Sequence, residues 1–354
     1  MTARLGLIEG YYGRPWSWDS RAATASFLAD HGYGFFIYAP KADPYLRRRW
    51  REPHPAGAAD QIGRFASRCD DKGVDFGVGL SPFEIYRDFG AEAKAALADK
   101  LAQLDALGVR QLAILFDDMR GDLPDLAARQ ADILHWIGAR TRAKRLILCP
   151  TYYSDDPALD LAFGPRPHRY LEDLGVALDA AIDVFWTGPE VCSREFRGGH
   201  LDRVAGQLRR KPLLWDNYPV NDGPRMAPFL HLRAFTGRPP GLADRVAGHA
   251  VNPALQPVLT RIPCLTLAES YRLGNDYDYR AAFRHAADLA LGPGLAAVVE
   301  RSLSSFQDLG RDRLGEGEGR ARARFADLRH PAAREIVDWL DGRWRITAED
   351  IAAM

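Results

Sequence analysis

Short apolar and β-branched runs alternate along the chain with amphipathic or Ala-rich stretches, and the alternation repeats eight times. The runs cover residues 5–10, 34–40, 74–82, 111–118, 145–153, 183–189, 211–218 and 248–253. Between them, stretches such as 20–31, 58–72, 91–107, 126–144 and 201–210 carry apolar residues at helical spacing, for example Leu97, Leu101, Leu104 and Leu107. Eight strand–helix units predict an α/β fold, a closed parallel (β/α)8 TIM barrel over residues 1–258. The rival is an open doubly wound sheet, which usually carries a Gly-rich phosphate loop after its first strand; here that position reads Gly10-Tyr11-Tyr12-Gly13. From 259 to 354 the strand pattern stops and a short C-terminal helical region is expected. Its helices fall at 265–273, 278–291, 295–309 and 332–340, with a flexible, charged, Gly-rich loop near 310–324. Thr347 and Asp350 have the spacing of a capping box.

Composition narrows the partner. The 354 residues carry 47 cations and 47 anions, a formal net charge of zero. Non-specific nucleic-acid binding and anionic membrane surfaces both depend on a cationic field, so neither is expected, and a small or neutral partner is. Four scattered cysteines, Cys69, Cys149, Cys192 and Cys264, fit neither a disulfide scaffold nor a zinc finger. The N-terminal residues lack a signal-peptide pattern, and no apolar run is long enough to span a bilayer, so a cytoplasmic location is expected.

In a parallel barrel the chemistry sits at the carboxyl ends of the strands. Those ends carry Glu9-Gly10, Lys41, Asp117-Asp118, Cys149 with Tyr153, Trp186, Trp215 with Asn217, Asp222 and Asn252. Two adjacent carboxylates held close cannot ionise equally easily, so one pKa should rise, as a general acid requires. The competing readings are a helix cap with a solvated neighbour, or a Mg²⁺ or Mn²⁺ site. Aromatic residues recur at the same ends: Tyr12, Trp16, Tyr38, Tyr153, Trp186, Trp215 and Tyr218. A pocket with apolar faces and a polar edge suits a sugar ring, whereas each ring taken singly reads as core. Lys41, Asn217, Asp222 and Asn252 would hold its hydroxyls, or else serve as loop caps. Lys41 stands out because the chain has only six lysines among its 47 cations.

Six blocks resemble glycoside hydrolase family 84, the family of the O-GlcNAcases. They are residues 6–16, 37–45 with 50–53, 115–118, 149–153, 186–189 and 215–217 with 221–222, in the family's order. The resemblance implies the (β/α)8 barrel and a retaining exo-β-N-acetylglucosaminidase that acts on O-GlcNAc-type glycosides or glycoproteins, needing no cofactor and no metal. It implies substrate-assisted catalysis, in which the sugar's own acetamido oxygen forms an oxazoline. Asp117 would then orient the acetamido N–H, Asp118 would act as general acid and base, and Tyr153 would assist the carbonyl oxygen. Gly10, Lys41, Asp222 and Asn252 would hold sugar hydroxyls; Cys149, Trp215 and Asn217 would border the acetamido group. Relatives pair through helices after the barrel, so a homodimer surface on 265–309 is the alternative to those helices packing on their own barrel. The sequence departs from the family at Tyr152, often Glu, and at 218–220, and it begins at strand one. The other readings are trimming of N-acetylglucosaminides from chitin or cell wall, and a non-catalytic acetamido-sugar-binding barrel.

Overall fold

A computed structural model describes residues 3–354. Each expected run forms a strand: β1 Leu5–Glu9, β2 Tyr33–Tyr38, β3 Asp75–Leu80, β4 Gln111–Leu115, β5 Arg145–Cys149, β6 Asp183–Trp186, β7 Leu213–Asp216 and β8 Gly248–Val251. Neighbours in sequence pair in parallel, and β8 closes on β1 with His249, Ala250 and Val251 opposite Leu5, Gly6 and Leu7. The strands are mainly apolar on both faces because both are covered, one by the barrel interior and one by helices. Several stop earlier than their apolar run. β4 ends at Leu115, β5 at Cys149 and β7 at Asp216, and the residues beyond leave the ladder to build the mouth.

The outer layer includes the helices Trp18–Ala29, Ala56–Asp71, Ala91–Ala106, Leu126–Gly138, Tyr170–Ala177 and Gly198–Leu208. The connection from β7 to β8 carries only the short helix Gly223–Met226 and a 3-10 turn at Leu242–Arg245, and no helical period is visible there in the sequence. After β8, helix Arg261–Leu273 gives Cys264 and Leu267 to the barrel core, and Ile262 and Leu265 to a second core. The second core is completed by helices Tyr279–Leu291, Pro293–Leu303 and Pro331–Leu340, whose apolar faces it buries. Barrel and C-terminal helices therefore share one wall.

The stretch 310–324, expected as a loop, differs. It holds a 3-10 turn at Arg311–Arg313 and enters helix Gly317–Ala326. Tertiary contacts override its composition: the ring of buried Phe325 lies 5.7 Å from that of Phe306 at a tilt of 46°, and the buried Arg311 donates to the carbonyl of Trp339. Thr347 and Asp350 form the expected capping box at the start of helix Ala348–Ala353. Among the described residues no helix is long and apolar enough to cross a membrane.

Candidate active site

Consecutive residues of an extended strand point to opposite sides, so Asp117 and Asp118 can share one pocket only if the chain turns. It does: Asp118 has φ +57°, a left-handed conformation that Asp tolerates better than most residues. The Lys41 ammonium, from the end of β2, ion-pairs with Asp117 Oδ2 and lies 3.9 Å from Asp118 Oδ2. The Asp117 side chain is almost fully enclosed, whereas that of Asp118 is 25% exposed and faces the mouth. Asp117 Oδ1 is buried and meets no protein donor. Asp118 accepts from two phenols, Tyr12 at 2.7 Å on Oδ2 and Tyr153 at 3.2 Å on Oδ1. Burial pushes both phenols above the usual tyrosine range, and the Asp118 charge adds to the shift, so both stay protonated donors.

On the opposite wall an amide network sets side-chain positions. Asn217 Oδ1 accepts from Trp215 Nε1 at 3.0 Å and from Asn252 Nδ2 at 2.9 Å, and Asn217 Nδ2 donates to the carbonyl of Val191. Asn252 Oδ1 accepts from the Gly10 backbone N–H at 3.3 Å. Gly10 is required by close approach: a Cβ there would come within 2.3 Å of Trp215 Cζ2. Asp222 accepts from the Tyr12 backbone N–H at 2.8 Å. Burial pushes its carboxyl up to about 6, the Tyr12 N–H pulls it back, and Asp118 adds to the rise. Cys149 is buried, and burial together with the Asp117 charge drives its thiol far above the ordinary value, so it is a small neutral wall.

These side chains line one cavity of about 190 Å³. All ten site residues expected from the sequence, Gly10, Lys41, Asp117, Asp118, Cys149, Tyr153, Trp215, Asn217, Asp222 and Asn252, border it. A family model described as beta-N-acetylglucosaminidase matches residues 5–307. The chain belongs to this family, glycoside hydrolase family 84.

Other members resemble the whole architecture. A variant of the O-GlcNAc hydrolase of Thermobaculum terrenum has 30% identity to this family 84 chain, with a TM-score of 0.80 over 95% of it and 80% of the other structure. CpGH84B, at 25% identity, gives 0.78 over 96% and 66%. Protein O-GlcNAcase from Rattus norvegicus and from Mus musculus are each 28% identical over 75% of the chain. The chain spans only 30% of the length of these curated relatives.

Of the seven aromatics expected at the mouth, Tyr12, Tyr153 and Trp215 line the cavity. The other four brace its surroundings. Trp16 donates to the carbonyls of Ala254 and Leu255, Tyr38 to Asp43, Trp186 to His200, and Tyr218 to the carbonyl of Arg233. Glu9 likewise turns away from the cavity into a buried ion pair with Arg21. Two features escaped sequence reading. Lys41 meets Asp117 across 76 residues, and Val191 and Val220 complete the wall, beside Thr187 and Cys192, from loops with no catalytic residue type to mark them. Among the described residues no three His, Cys, Asp or Glu side chains gather as a metal site.

Proposed function

We propose that this chain is a retaining exo-β-N-acetylglucosaminidase that removes terminal β-linked N-acetylglucosamine, O-GlcNAc in type, through an oxazoline. One observation carries the reading. Asp117 offers a buried carboxylate oxygen that no protein group satisfies, while Lys41 holds its other oxygen. An unpaired buried acceptor is costly, and a substrate N–H relieves it. A cavity of about 190 Å³ also lies below the roughly 300–1,000 Å³ of general ligand clefts, which supports a single sugar residue bound at its end.

In this reading Asp117 accepts the acetamido N–H and turns the carbonyl oxygen toward the anomeric carbon. That oxygen forms the new bond to carbon as the glycosidic C–O bond breaks. Asp118 passes its proton to the departing oxygen, then takes one from the water that attacks the same carbon and opens the oxazoline. The Lys41 ammonium holds the Asp117 carboxyl group in place beside the cation that develops. The exposure of Asp118 favours this division of labour, since the leaving group departs through the mouth. Gly10, Asp222 and Asn252 are assigned to sugar hydroxyls, together with a free N–H of Lys41. Cys149, Trp215, Asn217 and Tyr153 are assigned to the acetamido group.

Hydrolysis of an aryl β-N-acetylglucosaminide tests the activity, and release of N-acetylglucosamine from modified peptides tests the protein substrate. No turnover of either would refute the reading. A cytoplasmic setting is part of the proposal, supported by free thiols at Cys69, Cys149, Cys192 and Cys264, three of them buried on separate elements.

A further inference from the structure

The C-terminal residues run over the rim of the cavity rather than away from it. Ile346 is buried in the barrel core, and a Cβ on Gly13 would come within 2.4 Å of it. Helix Ala348–Ala353 follows. Its Ile351 packs on the barrel core beside Gly223, Ala352 accepts through its carbonyl from Arg48 Nη2 at 2.8 Å, and Met354 Sδ accepts from the Gly13 backbone N–H at 3.4 Å. Each anchored residue adjoins a group that surrounds Asp118. Gly13 follows Tyr12, whose hydroxyl donates to Asp118. Gly223 follows Asp222, which accepts the Tyr12 backbone N–H. Arg48 follows Arg47, whose guanidinium reaches the Asp118 carbonyl at 3.4 Å.

We propose that residues 346–354 are a positioning strap that ties the loops after β1, β2 and β7 together and so holds Tyr12 on the general acid Asp118. The strap touches no reacting atom; it acts through Gly13, Arg48 and Gly223. Three separate loops meet at it, each coming from a different strand, so without it their spacing depends on the loops alone. The inference rests on the reading of Asp118 as general acid. Its effect therefore belongs in the step that needs a proton and not in sugar binding.

The test compares the full chain with a form truncated after Thr347, which keeps the buried Ile346. Full-length Ile351→Ala and Ile351→Val follow in case the truncated form does not fold. kcat and KM are measured on an alkyl β-N-acetylglucosaminide, a poor leaving group, and on the dinitrophenyl glycoside, a good one. Amide exchange of residues 10–17 is measured in parallel. Truncation is expected to lower kcat on the alkyl glycoside by about tenfold or more and on the dinitrophenyl glycoside by less than about threefold, with KM nearly unchanged. Exchange over 10–17 should quicken, Ile351→Ala should follow the same pattern in part, and Ile351→Val should restore it. Equal losses on both substrates, or unchanged kinetics and exchange, would overturn the strap. If the full chain hydrolyses neither glycoside, the functional reading fails by itself, and exchange over 10–17 still decides whether the segment holds that loop.

Discussion

Asp117 and Asp118 are neighbours in the chain with opposite surroundings, one enclosed and ion-paired to Lys41, the other at the mouth under two phenols. The pair was legible in the sequence because it leaves an apolar strand, but the asymmetry was not, since it depends on residues from the loops after β1, β2 and β5. If Asp118 donates the proton, Asp118→Asn should cut kcat/KM by roughly 10²–10⁴ on poorly activated glycosides and far less on dinitrophenyl glycosides; equal losses would place the acid elsewhere. Gly10 makes a second residue-scale case. Gly10→Ala forces a methyl against Trp215, with a strain of about 1–3 kcal/mol, and should lower kcat/KM by about a hundredfold if Trp215 walls the acetamido group as proposed. Steady-state kinetics on the folded variant decide, and a loss under about threefold would mean that Trp215 moves aside at little cost. Glu9 shows the limit of reading residues singly: a carboxylate at a strand end has the signature of a catalyst, and only its ion pair with Arg21, twelve residues on, reveals a brace.

At the scale of elements, strand–helix alternation identified every barrel strand, because each is a short, mainly apolar run set between helical stretches. It overran the strand ends, where polar residues belong to the loop and not to the ladder. β1 illustrates why these ends matter. Glu9 receives Arg21 Nε at 2.6 Å and Nη2 at 2.8 Å, and the Tyr11 hydroxyl at 2.9 Å, all buried. This clamp joins β1 to helix Trp18–Ala29 and fixes the loop that carries Gly10 and Tyr12. Glu9→Gln leaves the buried guanidinium without a counter-charge and should destabilise the fold by about 3–5 kcal/mol, read by chemical denaturation. A change below about 1 kcal/mol would show that water reaches Arg21 and the clamp is dispensable.

For the whole molecule, the join between barrel and C-terminal helices is the part that sequence reading left least defined. Charge and glycine content masked helix Gly317–Ala326, whose stability comes from Phe325, Phe306 and Trp339 meeting across the chain. Glu335 sits at that join. Its carboxylate accepts from the backbone N–H groups of Val258 and Leu259 at 2.9 and 3.0 Å, yet burial pushes it up to about 7 from 4.5. Between these values the folded chain keeps a proton that the unfolded chain has released. The stability contribution is therefore present below pH 4.5 and is lost as pH rises through 7. The loss should be of the order of 3 kcal/mol, and Glu335→Gln should flatten this part of the profile. Denaturation at a series of pH values measures it, and an identical slope in the variant would place the titration elsewhere.

In the proposed mechanism the substrate's own acetamido oxygen is the nucleophile and Asp117 supplies the carboxylate that aims it. Progressive fluorination of the acetyl group on one aryl β-N-acetylglucosaminide weakens that oxygen while leaving the glycosidic bond and its leaving group unchanged. With the acetamido oxygen as nucleophile, kcat/KM is expected to fall steeply across the mono-, di- and trifluoroacetyl substrates, by a factor on the order of a hundred or more in total. A flat response would contradict it, because a nucleophile supplied by the protein would be indifferent to the fluorines.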